Sequence, residues 1–445
     1  MSPTAQPASR VRRVLTLALP IIGGMVSQNV MNLVDTGMVG VLGDAALAAI
    51  GLAGFVGFAS AAFIMGLSSG VQTIAARRVG EGRDSEVAIP LNGGLLLAVV
   101  IALPWTALLV YAAPHFFPLL IEDPEVVDLA VPYFQIRTVG LMGLGMNFAF
   151  RGYWNAISRA VLYMRTLVFM HLINIFLNWV FIFGNLGAPE LGATGAGLAT
   201  MIATYCGAAY YCWLGWREAR EAGFLRSLPA SSTLAGILRL CVPTGIQNTF
   251  FAGGLLTFSV IVGMVGTAEL AANQVIVNIL LVGILPGVGF GLAGATLVSQ
   301  SLGREEPAEA KRWGWDVAVI GGVAITVVAL PGIFIPEVLL GVFIHTEETL
   351  ALAVSPLRVV AYGIPFDVIG VILMHAMIGA GATRASAVVS ILMQWCLFLP
   401  AAYLIGPVMG LGLTEIWMAN MAYRFLQTLV FTGLWRRGDW AKIKV

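Results

Sequence analysis

Apolar residues in this chain come in long runs rather than on single faces. Twelve windows of that kind fall near 14–40, 47–70, 91–113, 133–153, 166–185, 192–215, 236–262, 273–300, 317–335, 356–378, 386–405 and 412–435. A helix needs roughly 20 apolar residues to cross the hydrocarbon core of a bilayer. The pattern therefore predicts an all-α polytopic membrane protein with twelve transmembrane helices. Its expected organisation is a polar tail (1–13), a first six-helix lobe (14–215), a linker (216–235), a second six-helix lobe (236–435) and a closing tail (436–445). The run after residue 13 is too long for a cleavable signal, so it reads as an uncleaved first span.

Composition agrees: 59% of the residues are hydrophobic and only 11% charged, whereas soluble domains carry about 25% charge. A net charge of +1 gives no footprint for nucleic acid. The charges that exist are sorted. All the basic residues except Arg137, Arg358 and Arg424 fall in the tails or in alternate connections. The opposite connections carry Asp44, Glu122, Asp123, Glu125, Asp128, Glu190, Glu269, Glu337, Glu347, Glu348 and Glu415, with no Lys or Arg among them. Basic loops face the cytoplasm, so both termini are expected there, in the inner membrane of a prokaryote. Arg137 and Arg358 sit in the outer third of their spans and are expected to snorkel to the interface. Arg424 lies mid-span and must find a partner or line water.

Shifting the chain by 223 residues aligns its halves. Pro20 falls on Pro243, LGDAALAAIGL (42–52) on VGTAELAANQV (265–275), Gly66 on Gly289 and Gly140 on Gly363. The shift spans six helices, so the repeats are parallel in the membrane. Two such lobes are expected to leave a central cavity at mid-membrane, a geometry suited to alternating access.

Ionisable groups inside spans cost at least about 2.5 kcal/mol each and are functional candidates. Asp35, within QNVMNLVDTGMVG (28–40), has no basic residue within four positions. Desolvation favours the neutral form of a carboxylic acid in such a place, which lets it bind and release protons near neutral pH. The plainer alternative is a carboxylate that ties the lobe together. Its counterpart in the second repeat is Phe258, so the acid belongs to one lobe alone. Gln28 and Asn32 continue a polar stripe on the same helix. Asn174 and Asn178 share a helix face; their amides suit a proton network or a sodium site, or serve only as interhelical hydrogen bonds. Thr200 adds a hydroxyl from the next span. Asp367 is either a second titrating acid or a polar lining residue. Met31, Met146 and Trp154 are candidates, with Gln28 and Asn32, for an adaptable cavity surface. Cys206, Cys212, Cys241 and Cys396 lack metal or disulfide spacing and read as packing residues. His115, His171 and His375 do not cluster with acids or cysteines, so no metal or organic cofactor is expected.

The motifs together resemble the multidrug and toxic compound extrusion (MATE) family, in wording closest to its prokaryotic DinF-type branch. They are ALP (18–20), LVDTGMVG (33–40), RGYWNAISRA (151–160), NIFLNWVFIFG (174–184), GATGAGLATMIAT (192–204), VPTGIQNTF (242–250), LAANQV (270–275), LVSQSLG (297–303) and GAGATR (379–384). The resemblance spans nearly the whole chain. It implies two six-helix bundles, most simply as a monomer, exporting small and often cationic organic compounds in exchange for H⁺ or Na⁺, H⁺ being favoured here. Asp35 then matches the branch's cation-site acid, with Asn174, Asn178 and Thr200 as its neighbours, and Pro20 matches a proline at which the first helix bends. Several relatives carry an acid where this chain has Asn178, which leaves one carboxylate and favours protonation. The NorM-type branch has an acid in span seven that is absent from Thr249–Ala252, while Asp367 looks like its span-ten acid. A lipid-linked-sugar flippase from the wider superfamily is the rival reading, but the spans offer only three arginines for a pyrophosphate. Nothing in the motifs points to an enzyme.

Overall fold

The computed structural model describes residues 7–344 and 346–445, and the side chains in those ranges except at 7–9 and 282. Residues 1–6 of the expected tail lie outside the described residues. The remainder of that tail is helical, because the first helix starts at Pro7.

No strand occurs among the described residues. The first repeat comprises α1 (Pro7–Gly40), α2 (Asp44–Ala62), α3 (Leu67–Gly80), α4 (Ile89–Leu120), α5 (Pro124–Val139), α6 (Leu141–Ala156), α7 (Ala160–Phe183) and α8 (Gly192–Glu218). The second comprises α9 (Ser231–Gly263), α10 (Thr267–Gly303), α11 (Pro307–Phe334), the short α12 (Pro336–Gly341), α13 (Glu347–Gly379), α14 (Thr383–Ile391), α15 (Leu399–Tyr403) and α16 (Leu413–Arg437). There are more helices than spans because some spans are interrupted. A 3₁₀ turn at Ile64–Gly66 separates α2 from α3, and Gly140 separates α5 from α6, its amide bonding back to Arg137 at 3.0 Å. Wide π turns at Leu392–Phe398 join α14 to α15.

The repeat explains one of these breaks. Position 63, just before the 3₁₀ turn, corresponds under the 223-residue shift to Pro286, inside the continuous α10. One repeat loosens the helix there by tightening its turn, the other by removing an amide donor.

Nine helices among the described residues are long and apolar enough to cross a membrane. The remaining expected spans fall short for visible reasons. α5 and α6 have only 16 residues each, α8 is diluted by Gly, Thr and Tyr, and α16 carries Asn420, Arg424 and Gln427. Helices meant for lipid show their apolar stripe outward: on α11, Val319, Val323 and Val327 are exposed while Val317 and Ile325 are buried.

The chain forms two compact units, residues 23–246 and residues 1–22 with 247–445. The division falls inside α1 and α9, three residues after Pro20 and four after Pro243, rather than in the connection at 216–235 expected to separate the lobes. Each unit thus holds the first part of the opening helix of the other repeat. Close packing shows how. In the 23–246 unit, a Cβ on Gly66 would stand 2.5 Å from the Cys241 carbonyl oxygen and 2.7 Å from the Gly245 nitrogen of α9. In the other unit, the matching Gly289 lies against Ile22, the repeat partner of Gly245. The start of α1 is further held to α11 within that unit. Arg10, 6% exposed, reaches Asp316 and Glu309 at 2.5 Å each and stacks 3.8 Å over the Trp313 ring.

Gly66 therefore permits a backbone-to-backbone approach that alanine cannot. Gly66→Ala is expected to cost about 1–3 kcal/mol through overpacking, read as a lowered melting temperature in detergent. Gly57→Ala on α2, where nothing lies within 4 Å of the new Cβ, is expected to leave the melting temperature unchanged or slightly raised. Equal effects of the two would contradict this packing.

Candidate functional site

The second half of α1 faces α7, which in turn packs on α8, all within the 23–246 unit. The α-helical period fixes what meets. Residues 28, 32 and 35 follow one another on one face of α1, and 171, 174 and 178 on one face of α7.

Four of the expected site residues come together there. Asn178 donates from Nδ2 to Asp35 Oδ1 at 2.5 Å and to Asn174 Oδ1 at 3.2 Å. Asn174 Nδ2 donates to Thr200 Oγ1 at 3.2 Å, and the Thr200 hydroxyl donates to the Ala196 carbonyl at 3.0 Å. Asn178 is fully buried and Asn174 nearly so, at 4%. Asp35 is half-buried, so it borders both the packed interior and the open side of α1. Asn178 Oδ1 is buried without a hydrogen-bond partner among the described residues, an acceptor left over beside the acid.

The Asn174 amide also borders the acid: with its oxygen and nitrogen exchanged, Nδ2 donates to Asp35 Oδ1 at 2.9 Å and the oxygen accepts from the Thr200 hydroxyl at 3.2 Å, while Nδ2 then faces Asn178 Nδ2 at 3.2 Å. Asp35 Oδ1 is thus flanked by the amides of both Asn178 and Asn174.

Other expected residues fall differently. Gln28 and Asn32 are exposed and bonded to each other, Gln28 Nε2 donating to Asn32 Oδ1 at 3.3 Å. Trp154 is fully buried, stacked on Phe150 and edge-on to Tyr153, so it offers no face to a ligand in this structure. Met31 is 4% exposed, and Met146 packs against the core. These three fill space between helices, because large apolar side chains on the inner face of a bundle are its packing material. Pro20 lies inside α1 as expected, three residues before the unit boundary.

The in-span arginines find partners. Arg137 donates to the Tyr133 hydroxyl at 2.5 Å, and its charge acts on Asp35, so it is tied into its own unit instead of simply running to the interface. Arg358 pairs with Glu337 at 3.0 Å, both exposed, as an interfacial residue should. Arg424 stands 3.7 Å from Asp367, which is 3% exposed and whose Oδ2 has no other partner among the described residues. The acid of the tenth span is therefore neutralised by a guanidinium of the twelfth. The two lie 57 positions apart, and no local pattern in the sequence pairs them. His171 shares the α7 face of Asn174 and Asn178 through the spacing 171, 174, 178.

Comparison with known proteins fits this architecture. The MatE family model matches residues 20–180 and 243–404, two segments that begin 223 positions apart on Pro20 and Pro243. A curated relative from Pseudomonas aeruginosa, named a probable multidrug resistance protein NorM, is 31% identical over 92% of this chain and 85% of its own length. One of the same name from Thermotoga maritima is 26% identical over 97% of this chain and 93% of its own. A solved structure of a multidrug resistance MATE family transporter of the MOP superfamily, in an outward-facing conformation, superposes with a TM-score of 0.89. It is 21% identical, over 100% of both chains. Another MOP superfamily transporter, from Pyrococcus furiosus, superposes at 0.86 with 22% identity, again over 100% of both. Matched on both repeats and over nearly its full length, the chain belongs to the MatE family of multi-pass membrane transporters, the multidrug and toxic compound extrusion proteins.

Proposed function

We propose that this protein exports small organic cations from a prokaryotic cell in exchange for protons, by alternating access, with Asp35 as the protonation site. The relatives named multidrug resistance proteins support drug-like substrates. One observation carries the choice of ion: Asp35 is the single carboxylate of this cluster, half-buried and bordered by the amides of Asn178, at 2.5 Å, and Asn174 instead of by a second acid. In the proposed cycle a proton neutralises Asp35 from outside and weakens the hydrogen bond it accepts from Asn178. The rearranged network then shifts α1 after Pro20, and the substrate leaves. Loss of the proton to the inside restores the carboxylate and its affinity for the cation. Proton and substrate oppose one another, and that opposition is the exchange. The termini lie in the cytoplasm and the protein in the inner membrane, as the sorting of the arginines indicates.

The test is efflux of a fluorescent organic cation from proteoliposomes with pH and Na⁺ gradients imposed separately. A pH gradient alone is expected to drive accumulation against the substrate gradient, and a Na⁺ gradient at equal pH to drive none. The reverse outcome would replace the proton by sodium.

A further inference from the structure

The polar stripe on α1 does not end at Asp35, and the stripe on α7 does not end at Asn174. Seven residues before Asn178 stands His171, and seven before Asp35 stands Gln28. His171 Nε2 lies 3.4 Å from Gln28 Oε1, and Gln28 Nε2 donates onward to Asn32 Oδ1 at 3.3 Å. Asn32 is three residues, less than one turn, from Asp35. A polar ladder thus runs from the acid toward the arginine-rich ends of both helices. At 1.5 Å per residue its length is about 10 Å.

His171 is held unlike the other helical histidines. In His115 and His375 the Nδ1 faces the carbonyl oxygen of the residue four positions earlier, at 3.2 and 2.8 Å. That is how a helix absorbs a histidine into its own backbone. His171 makes no such contact; among the described residues its ring hydrogen-bonds only with Gln28. With Gln28 Oε1, which can only accept, toward the ring, the tautomer that makes this contact carries its hydrogen on Nε2 and leaves Nδ1 to take another. Gln28 and Asn32 are exposed and His171 is half-buried, so the ladder has an open side. The ionisable groups on the elements around the ring are Asp35, Arg10, Arg12 and Arg13 on α1, Arg151 and Tyr153 on α6, Tyr163 and Arg165 on α7 itself, and Tyr205, Cys206, Tyr210, Tyr211, Cys212, Arg217 and Glu218 on α8. None hydrogen-bonds or ion-pairs with it among the described residues.

We propose that His171 is the proton-exit residue of the transporter, a reading that rests on Asp35 being the coupling acid. The O–H bond of the Asp35 carboxylic acid breaks and its proton passes through water lying along Asn32 and Gln28. An N–H bond forms at His171 Nδ1, giving an imidazolium that Gln28 Oε1 stabilises through Nε2–H. The imidazolium then gives one proton to water at the arginine-rich end. The ring is regenerated, and Asp35 is left as the carboxylate.

The test uses the full chain in proteoliposomes, with pH-driven export of a fluorescent organic cation as readout and binding of the same cation as the check on folding. His171→Ala and His171→Gln are expected to bind the cation as the parent does, while coupled turnover falls on the order of 100-fold, the low end of what positioned proton transfer contributes. Added imidazole and methylimidazoles are expected to restore His171→Ala, with rates that follow the basicity of the added base, and to leave His171→Gln slow. Three results overturn the proposal. Parent-like turnover in both variants, with Asp35→Asn inactive, places the proton route elsewhere and leaves the Asp35 reading standing. Loss that no added base restores makes the ring a packing group. Parent-like coupled export in Asp35→Asn removes the acid itself, and the exit path with it.

Discussion

Asp35→Asn is expected to bind organic cations at every pH with the same affinity and to show no pH-driven export. The amide is nearly the shape of the protonated acid, so the contacts from Asn178 and Asn174 survive in part while the exchangeable hydrogen is gone. In the parent protein, proton and substrate are expected to weaken each other's binding by about 5- to 150-fold, the usual range for linked sites. In the variant that factor collapses to one. Titrating cation binding between low and high pH in detergent measures it directly. A pH-dependent affinity that persists in Asp35→Asn would assign the coupling to another group, Asp367 being the obvious candidate.

Asp367→Asn is expected to damage the protein for a different reason. The acid is 3% exposed and the Arg424 side chain 15%, so removing the carboxylate leaves a guanidinium in a dry interior. Breaking a buried pair by deleting one partner costs about 3–5 kcal/mol, whereas deleting both costs far less. The melting temperature in detergent is therefore expected to fall steeply in Asp367→Asn and to recover in Asp367→Asn with Arg424→Gln. A single variant that keeps parental stability but loses pH-dependent transport would make Asp367 a titrating site instead.

What could be read from the chain beforehand follows from the physics of each signal. Spans are written as runs of apolar residues, so their number and order were visible, as was the repeat that Pro20, Gly66 and their partners mark. Interruptions were not. The window at 133–153 hides a break at Gly140, and the turn at Ile64–Gly66 carries no proline to announce it. The boundary between compact units was also hidden, because a helix that serves both units looks in sequence like any other span. At the site, Asp35, Asn174 and Asn178 were legible because polar residues are costly in hydrocarbon and these fall on helical spacing. Trp154 and Met31, expected as cavity candidates, are buried between helices in this structure, and an apolar side chain looks the same in sequence whether it faces a ligand or a neighbouring helix. His171 was passed over because its partner, Gln28, lies on another helix 143 positions away.

Proton release on substrate binding reads the exchange at Asp35 itself. Purified protein in weakly buffered solution with a pH indicator is mixed with a saturating organic cation, at a pH where Asp35 is partly protonated. The parent protein is expected to release protons, up to one per cation bound, and Asp35→Asn to bind the cation and release none. Binding without proton release in the parent, or equal release from Asp35→Asn, would contradict that exchange.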